Sequence, residues 1–224
     1  FQIVHHDIWD YDNSSAPIVA DLNEKKVVIQ LTKQSFAFVF DRETGEPYWP
    51  IYEVEVPKSD VPGEWTSPTQ PIPSLPEAYD RSGVSRNDLI DYTPEISQAV
   101  ENLIKDYRLG PLYTPPSLAE SKDGTKGTLS LPFPTGGSNW EGGAYDPETN
   151  LLYVPSQTRL ALLSLKDGDE STDVRYVASN SPKLEVFGIP IAKPPWGRIT
   201  AIDMSSGKIK WSVANGETPE AIIN

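Results

Sequence analysis

The sequence has no cysteine. Disulfide staples and thiolate metal sites are therefore excluded, while the redox compartment stays open, because a cysteine-free chain folds equally well in oxidising or reducing surroundings. It also has no long Lys/Arg cluster, and its formal net charge is −13. Such a surface repels phosphate backbones and anionic lipid, which argues against nucleic-acid and membrane-surface roles. No apolar run approaches the roughly 20 residues that span a bilayer. What the chain has in abundance is punctuation: 22 Pro and 15 Gly, beside 6 Trp and 10 Tyr in 224 residues. Many turns and many aromatics favour short strands over long helices, and an all-β domain of this length can be one unit. Phe1-Gln2-Ile3-Val4 reads as a strand entered midway, so the expectation is a piece of a longer protein.

The most unusual stretch is His5-His6-Asp7-Ile8-Trp9-Asp10-Tyr11-Asp12. A solvated charge run has no need of the aromatics, and a core strand does not tolerate the carboxylates. The combination suggests acids held at the edge of a packed scaffold, where a proton or a metal ion is handled. The plainer alternative is a surface turn whose Asp residues cap backbone amides. His5 and His6 are expected to be structural, since neighbours on a strand point to opposite faces and cannot readily share one ion.

Further along, Pro17–Asp21, Val27–Leu31 and Phe36–Phe40 read as strands, the last two joined by the polar turn Thr32-Lys33-Gln34-Ser35. Asp41, Gly45 and Trp49 then stand four and eight positions apart, and Asp203, Gly207 and Trp211 repeat that spacing. Tyr145-Asp146-Pro147-Glu148-Thr149-Asn150 is a degenerate third copy. In such a unit Asp accepts turn amides, Gly or Asn takes positive φ, and the returning Trp packs across the sheet, which is a propeller-blade signature. Residues of about 50–128 break the spacing. Glu53 to Pro76 is Pro-rich and reads as extended and turn-like, and Thr93 caps one helix over about 94–108, with Ile96, Val100, Leu103, Ile104 and Tyr107 as its apolar stripe. This region reads as an insertion over one face of the sheets. Thr135-Gly136-Gly137-Ser138-Asn139-Trp140-Glu141-Gly142-Gly143 follows. Its glycines let backbone approach a flat ligand closely while Asn139 and Trp140 project; a glycine-rich bulge with a core Trp is the alternative.

These residues resemble the quinoprotein dehydrogenases that use pyrroloquinoline quinone (PQQ), and within them the glucose, quinate and polyol dehydrogenase branch. The octet, Thr32-Lys33-Gln34, Asp41 to Glu46, Thr114-Pro115-Pro116-Ser117 and Gly136 to Trp140 carry the likeness, in the family's order along nearly the whole chain. The resemblance implies an all-β fold: a partial eight-bladed propeller of about four blades, roughly its second half, with the Pro-rich and helical insertion. It implies Asp10 as catalytic base, Lys33 reaching the quinone oxygens, and Asn139 and Trp140 lining the cofactor pocket. It also implies Asp10, and Asp12 less firmly, on Ca²⁺ or another hard cation such as Mg²⁺ or a lanthanide. The expected substrate is an alcohol or sugar, the acceptor a quinone or cytochrome, and the location the periplasm, with a tether to the inner membrane outside these residues. The remaining blades, in the same protein or a second chain, would complete the site, so this segment alone is expected to bind PQQ weakly or not at all. Two other readings compete: a non-catalytic propeller scaffold for proteins, which gives the octet and Lys33 no role, and a glycosidase using Asp7, Asp10 or Asp12, for which no second acid is evident.

Overall fold

A computed structural model describes residues 1–218 and Ile223. The first seventeen residues form no strand; Phe1–Val4, expected to be one, is irregular, with the Phe1 ring against Phe38 and Phe40 and Ile3 buried beneath. Strands β1 (Ile18–Leu22), β2 (Lys25–Leu31) and β3 (Ala37–Asp41) then make an antiparallel meander. Asn23 and Glu24 both take positive φ (47° and 68°), the two-residue turn whose twist suits a hairpin. Along β2 the β-branched and aliphatic residues alternate with half-exposed ones, so Val27, Ile29 and Leu31 enter the core. Strand β3 is buried on both faces, Ala37 and Val39 toward one cluster and Phe38 and Phe40 toward another.

The Pro-rich stretch is more ordered than its composition suggests. Strands β4 (Ile51–Glu55) and β5 (Thr69–Pro73) pair as an antiparallel ribbon. Its prolines are tolerated because a two-stranded ribbon leaves edge positions that need no N–H. Helix α1 (Pro94–Ile104) starts where expected, with the Ile96 amide donating to Thr93 Oγ1 at 3.3 Å. It ends at Ile104, four residues early, while Tyr107 still packs on the same core as Val100 and Ile104.

Strands β6 (Ser117–Leu118), β7 (Thr128–Ser130), β8 (Ala144–Asp146), β9 (Leu151–Gln157), β10 (Ala161–Asp167), β11 (Tyr176–Ala178), β12 (Glu185–Val186), β13 (Ile189–Pro190), β14 (Gly197–Asp203) and β15 (Lys208–Ala214) complete the order. Four of them form an antiparallel sheet in the order β15-β14-β9-β8, interrupted between β9 and β14 by the excursion that carries β10 to β13. This sheet packs on the β1–β3 meander through Leu152, Val154, Ile202 and Met204. Blade-like antiparallel sheets joined by such a core are the architecture that the repeats predicted.

All three Asp turns form. Asp41 accepts the amides of Glu43 and Thr44 at 2.9 Å, Asp146 that of Glu148 at 3.0 Å, and Asp203 that of Ser205 at 2.8 Å. Gly45, Asn150 and Gly207 take positive φ (76°, 57° and 73°) as their spacing requires. Trp49 packs on the core of the meander, whereas Trp211 lies on exposed β15 with its ring 5.8 Å from that of Tyr153.

Candidate functional site

The octet is a turn hung on its own aromatics. Asp7 accepts the Trp9 amide (2.9 Å) through Oδ1 and the Tyr11 amide (2.6 Å) through Oδ2, and so is the capping carboxylate of the group. Trp9 and Tyr11 are fully buried against Tyr113. Trp9 Nε1 donates to the Thr114 carbonyl at 2.9 Å, and the Tyr11 hydroxyl donates to the Pro132 carbonyl at 3.0 Å. Thr128 Oγ1 donates to the Pro115 carbonyl, so the Thr114-Pro115-Pro116-Ser117 motif is a wall of this aromatic cluster. Burial pushes the Tyr11 hydroxyl well above the ordinary phenol range, and the ring serves as a neutral anchor.

The histidines do not lie on a strand, contrary to the premise used for them, yet they part company all the same. His6 takes positive φ (44°), which turns its ring away from that of His5. His5 Nε2 lies 3.0 Å from Glu53, and His6 Nε2 lies 3.3 Å from Glu64, with its ring stacked on Trp65.

With Trp9 and Tyr11 anchored inward, Asp10 and Asp12 face outward. Asp10 sits at φ +67°, a conformation more often given to Gly or Asn, which re-aims its carboxylate. The side chains of Asp10 and Asp12 are 66% and 62% exposed, and beneath them lies Lys33 at only 7%. Lys33 Nζ donates to the Asp10 carbonyl oxygen (2.8 Å) and to Asp12 Oδ1 (2.5 Å), and stands 3.4 Å from Asp10 Oδ2. Lys33 is therefore not a hairpin lysine reaching for solvent. Its ammonium makes two hydrogen bonds and one longer ion pair, all with the octet. Partial burial is the main cause that raises the Asp10 pKa, against the opposing pull of Lys33. The direct hydrogen bond from Lys33 is the main cause that lowers the Asp12 pKa.

The glycine-rich turn explains why Lys33 is enclosed. A methyl group on Gly136 would lie 2.6 Å from Lys33 Cγ, and one on Gly137 would lie 2.0 Å from Ser35 Oγ. Gly143 likewise abuts Leu31. The close approach that Gly136, Gly137 and Gly143 permit is thus made to the β2–β3 hairpin. Gly137 N donates to the Lys33 carbonyl, and Gln157 N donates to the Gly137 carbonyl, both at 2.8 Å, tying three elements into one row. Asn139 folds back on its own turn, its Nδ2 donating to the Thr135 carbonyl (2.6 Å) and its Oδ1 accepting from Trp140 N (2.7 Å). Trp140 is 77% exposed, so packing inside these residues is not its role here. The structure thus brings Asp10, Asp12 and Lys33 together and ties the glycine turn that leads to Asn139 and Trp140 to the Lys33 backbone.

Sequence reasoning passed over Tyr79, Asp80 and Gln157. Tyr79 is buried with its hydroxyl donating to the Thr32 carbonyl at 2.7 Å, and Asp80 is buried with two hydroxyls donating to it. A lone Tyr-Asp pair in a loop carries no periodic signal.

Comparison with known proteins places this geometry. The family model described as "PQQ: Glucose/ethanol/alcohol dehydrogenase, beta-propeller domain" matches residues 1–223. The quinate/shikimate dehydrogenase (quinone) of Acinetobacter baylyi is 29% identical over 96% of this chain and 29% of its own length. The quinoprotein glucose dehydrogenase of Escherichia coli is 30% identical over 98% of this chain and 30% of its own. A solved structure titled europium-containing methanol dehydrogenase superposes with a TM-score of 0.53 at 19% identity, over 95% of this chain and 30% of that one. The chain thus spans about 30% of the length of the curated relatives it matches. In each relative the matched segment is part of one longer chain, so the expectation of a separate second chain finds no support.

Proposed function

The chain belongs to the PQQ-dependent glucose/ethanol/alcohol dehydrogenase β-propeller family, and from that premise we propose that it carries the acid–base half of an alcohol-oxidising site. The protein containing it oxidises the hydroxyl of a sugar, polyol or other alcohol, with a quinone or cytochrome as final acceptor. The observation that supports this reading is the convergence of two exposed carboxylates, Asp10 and Asp12, on one enclosed ammonium, Lys33. A protein-binding scaffold has no use for a buried lysine held under acids at a rim, since such an arrangement must be hydrogen-bonded at every N–H to be tolerated.

Bound PQQ would supply the hydride acceptor. The residues suit it in charge: Lys33 is a cationic donor fixed in place by its enclosed stem, able to stabilise negative charge on a quinone oxygen as it develops. Asp10 is the general base. Among the described residues no backbone amide donates to its carboxylate, its side chain is largely exposed, and its raised pKa makes it a stronger proton acceptor than an ordinary aspartate. The Asn139–Trp140 turn, held beside Lys33 by Gly137, is the segment of this chain that lines the cofactor side.

A hard cation fits less well. Ca²⁺ takes about six to eight oxygen ligands. Among the described residues no cluster of three or more His, Asp or Glu side chains is placed to hold a metal, and Lys33 pairs with both Asp10 and Asp12. Asp10 and Asp12 would need further oxygen donors from outside these residues. We also assign residues of about 50–128 to an insertion in the propeller, and the periplasm as location. The described residues contain no helix long and apolar enough to cross a membrane.

The deciding experiment is a dye-linked dehydrogenase assay of the full-length protein with PQQ and Ca²⁺, beside Asp10→Asn. PQQ-dependent turnover that Asp10→Asn removes is the expected result. Turnover unchanged in the mutant would end the catalytic assignment.

A further inference from the structure

Lys33 lies in a hairpin turn, and turns are the least rigid places to mount a functional side chain. Something must hold this one. Tyr79 and Asp80 are consecutive and both buried, the Asp80 side chain at 1% exposure. Tyr79 grips the turn itself. Its amide donates to the Ser35 carbonyl (3.1 Å), its hydroxyl donates to the Thr32 carbonyl (2.7 Å), and that hydroxyl accepts the Thr32 amide at 3.3 Å. The two residues flanking Lys33 and Gln34 are thus pinned to one phenol ring and its backbone.

Asp80 grips the other side of the row. Ser156 Oγ donates to its Oδ2 at 2.6 Å, and Thr158 Oγ1 to its Oδ1 at 2.7 Å. The Arg81 amide adds a third hydrogen bond at 2.7 Å, and Arg198 lies 3.4 Å away as the counter-charge. Ser156 and Thr158 bracket Gln157. That residue donates its amide to the Gly137 carbonyl, and its side chain to the Gly136 carbonyl and Thr135 Oγ1. Gly137 in turn donates to the Lys33 carbonyl. Two adjacent residues therefore reach Lys33 from opposite sides, one through Thr32 and Ser35, the other through Gln157 and the glycine turn. A buried carboxylate filled on both oxygens rigidifies the groups that it joins.

We propose that Tyr79 and Asp80 are positioning residues for Lys33, setting its ammonium and the glycine turn against it as one rigid unit. This rests on the reading of Lys33 as a cofactor-side residue for its functional consequence, though the positional claim stands on the hydrogen bonds alone. Outer-shell partners of metal ligands change metal affinity or activity by roughly 10–100-fold when removed, and a positioned lysine is expected to respond on a similar scale.

The test uses the full-length protein and two readouts. The first is acylation of the Lys33 amine by a water-soluble succinimidyl ester, read by peptide mass against exposed Lys122. In Asp80→Asn, Lys33 should be labelled severalfold faster, as it leaves its enclosure. Tyr79→Phe, a milder change that removes one hydroxyl, should move it in the same direction. Val100→Ala, which loosens the α1 core without touching this row, should leave it unchanged. The second readout is PQQ affinity by titration. Asp80→Asn should weaken it roughly tenfold or more in the wild-type background and have no further effect in a Lys33→Ala background, since residues acting through one another are not additive. Unchanged Lys33 labelling in both Asp80→Asn and Tyr79→Phe overturns the proposal, as does an Asp80→Asn penalty on PQQ that persists in full without Lys33. Faster labelling with PQQ affinity untouched would uphold the positioning and instead refute the cofactor role of Lys33.

Discussion

Two kinds of aspartate occur in this chain, and the contrast between them separates structure from chemistry. Asp41, Asp146 and Asp203 each sit at the head of a tight turn and take backbone amides of that turn. Those hydrogen bonds hold the pKa of Asp41 below the ordinary carboxylate value, while at Asp146 the Thr149 hydroxyl leads and the turn amides add to it. Such carboxylates are consumed by the fold. Asp7 is spent in the same way within the octet, on Trp9 and Tyr11. Asp10 is not. Among the described residues no backbone amide donates to it, partial burial raises its pKa, and its cationic neighbour, Lys33, is shared with Asp12. A carboxylate with uncommitted lone pairs and a raised pKa is suited to take a proton; one already satisfied by its own turn is not.

The largest effect should come from Asp10. In the full-length protein, Asp10→Asn keeps the size of the side chain and removes the base, which should lower PQQ-dependent turnover by about 10²–10⁴-fold, the usual contribution of a positioned general base. A loss of the same size in Asp41→Asn would erase the distinction drawn between the two groups.

Next comes the glycine turn that encloses Lys33. Gly136 has φ +89°, and an alanine methyl there would lie 2.6 Å from Lys33 Cγ and 2.7 Å from Lys33 Cα. The backbone cannot retreat without breaking the row through Gly137. Gly136→Ala should cost about 2–4 kcal/mol in denaturant unfolding, combining overpacking with a left-handed conformation that L-residues resist. PQQ affinity should fall with it. Gly45→Ala, where φ is +76° but no atom lies within 4 Å of the added methyl, should cost only the conformational part, about 1–2 kcal/mol. Equal costs at the two sites would show that the contact with Lys33 is not what fixes Gly136.

How much of this was legible in the sequence follows the same division. The Asp turns, the strands β2 and β3, and the cap of α1 were readable, because each depends on residues within a few positions of one another. The β4–β5 ribbon was not, since proline-rich strands are recognisable only by their pairing. The octet and Lys33 stood out by composition and by family likeness, but their contact joins positions 23 apart and is created by the anchoring of Trp9 and Tyr11. The glycines of the Gly136–Gly143 stretch were correctly read as sites of close approach, and the neighbour that could not be read locally is the chain's own hairpin, against which Gly136, Gly137 and Gly143 lie. Nothing local marks Asp80, whose partners Ser156, Thr158 and Arg198 are all more than 70 residues away.

A smaller effect should appear in the pH profile of Asp12→Asn. Activity requires Asp10 ionised, so kcat/KM should decline as pH falls through the pKa of Asp10, which lies above the ordinary value of 3.8. The negative charge of Asp12 is one cause of that elevation, and Asp12 also draws Lys33 away with a 2.5 Å hydrogen bond. Removing its charge deletes a repulsion and leaves Lys33 freer to pair with Asp10. Both changes lower the Asp10 pKa, so the acid limb should move to lower pH. An acid limb that moves upward would mean that Asp12 and Lys33 do not act on Asp10 as their geometry implies.

The smallest effect is expected at Asp41, and it tests the comparison from the other side. Asp41 holds two turn amides at 2.9 Å, and Gly45 N donates to its carbonyl, also at 2.9 Å. Asparagine retains an oxygen acceptor for those amides, whereas alanine leaves them to water. Asp41→Ala should therefore lower the melting temperature of the full-length protein by a few degrees at most, and Asp41→Asn by less. Neither should alter turnover, PQQ affinity or the acid limb, because the carboxylate serves its own turn, chiefly by accepting hydrogen bonds. The two substitutions thus ask whether an aspartate of this chain can be reduced to its acceptor geometry. At Asp41 the answer should be yes and at Asp10 no, since asparagine at Asp10 keeps the acceptor and loses the one thing a base requires, an oxygen that can take up a proton.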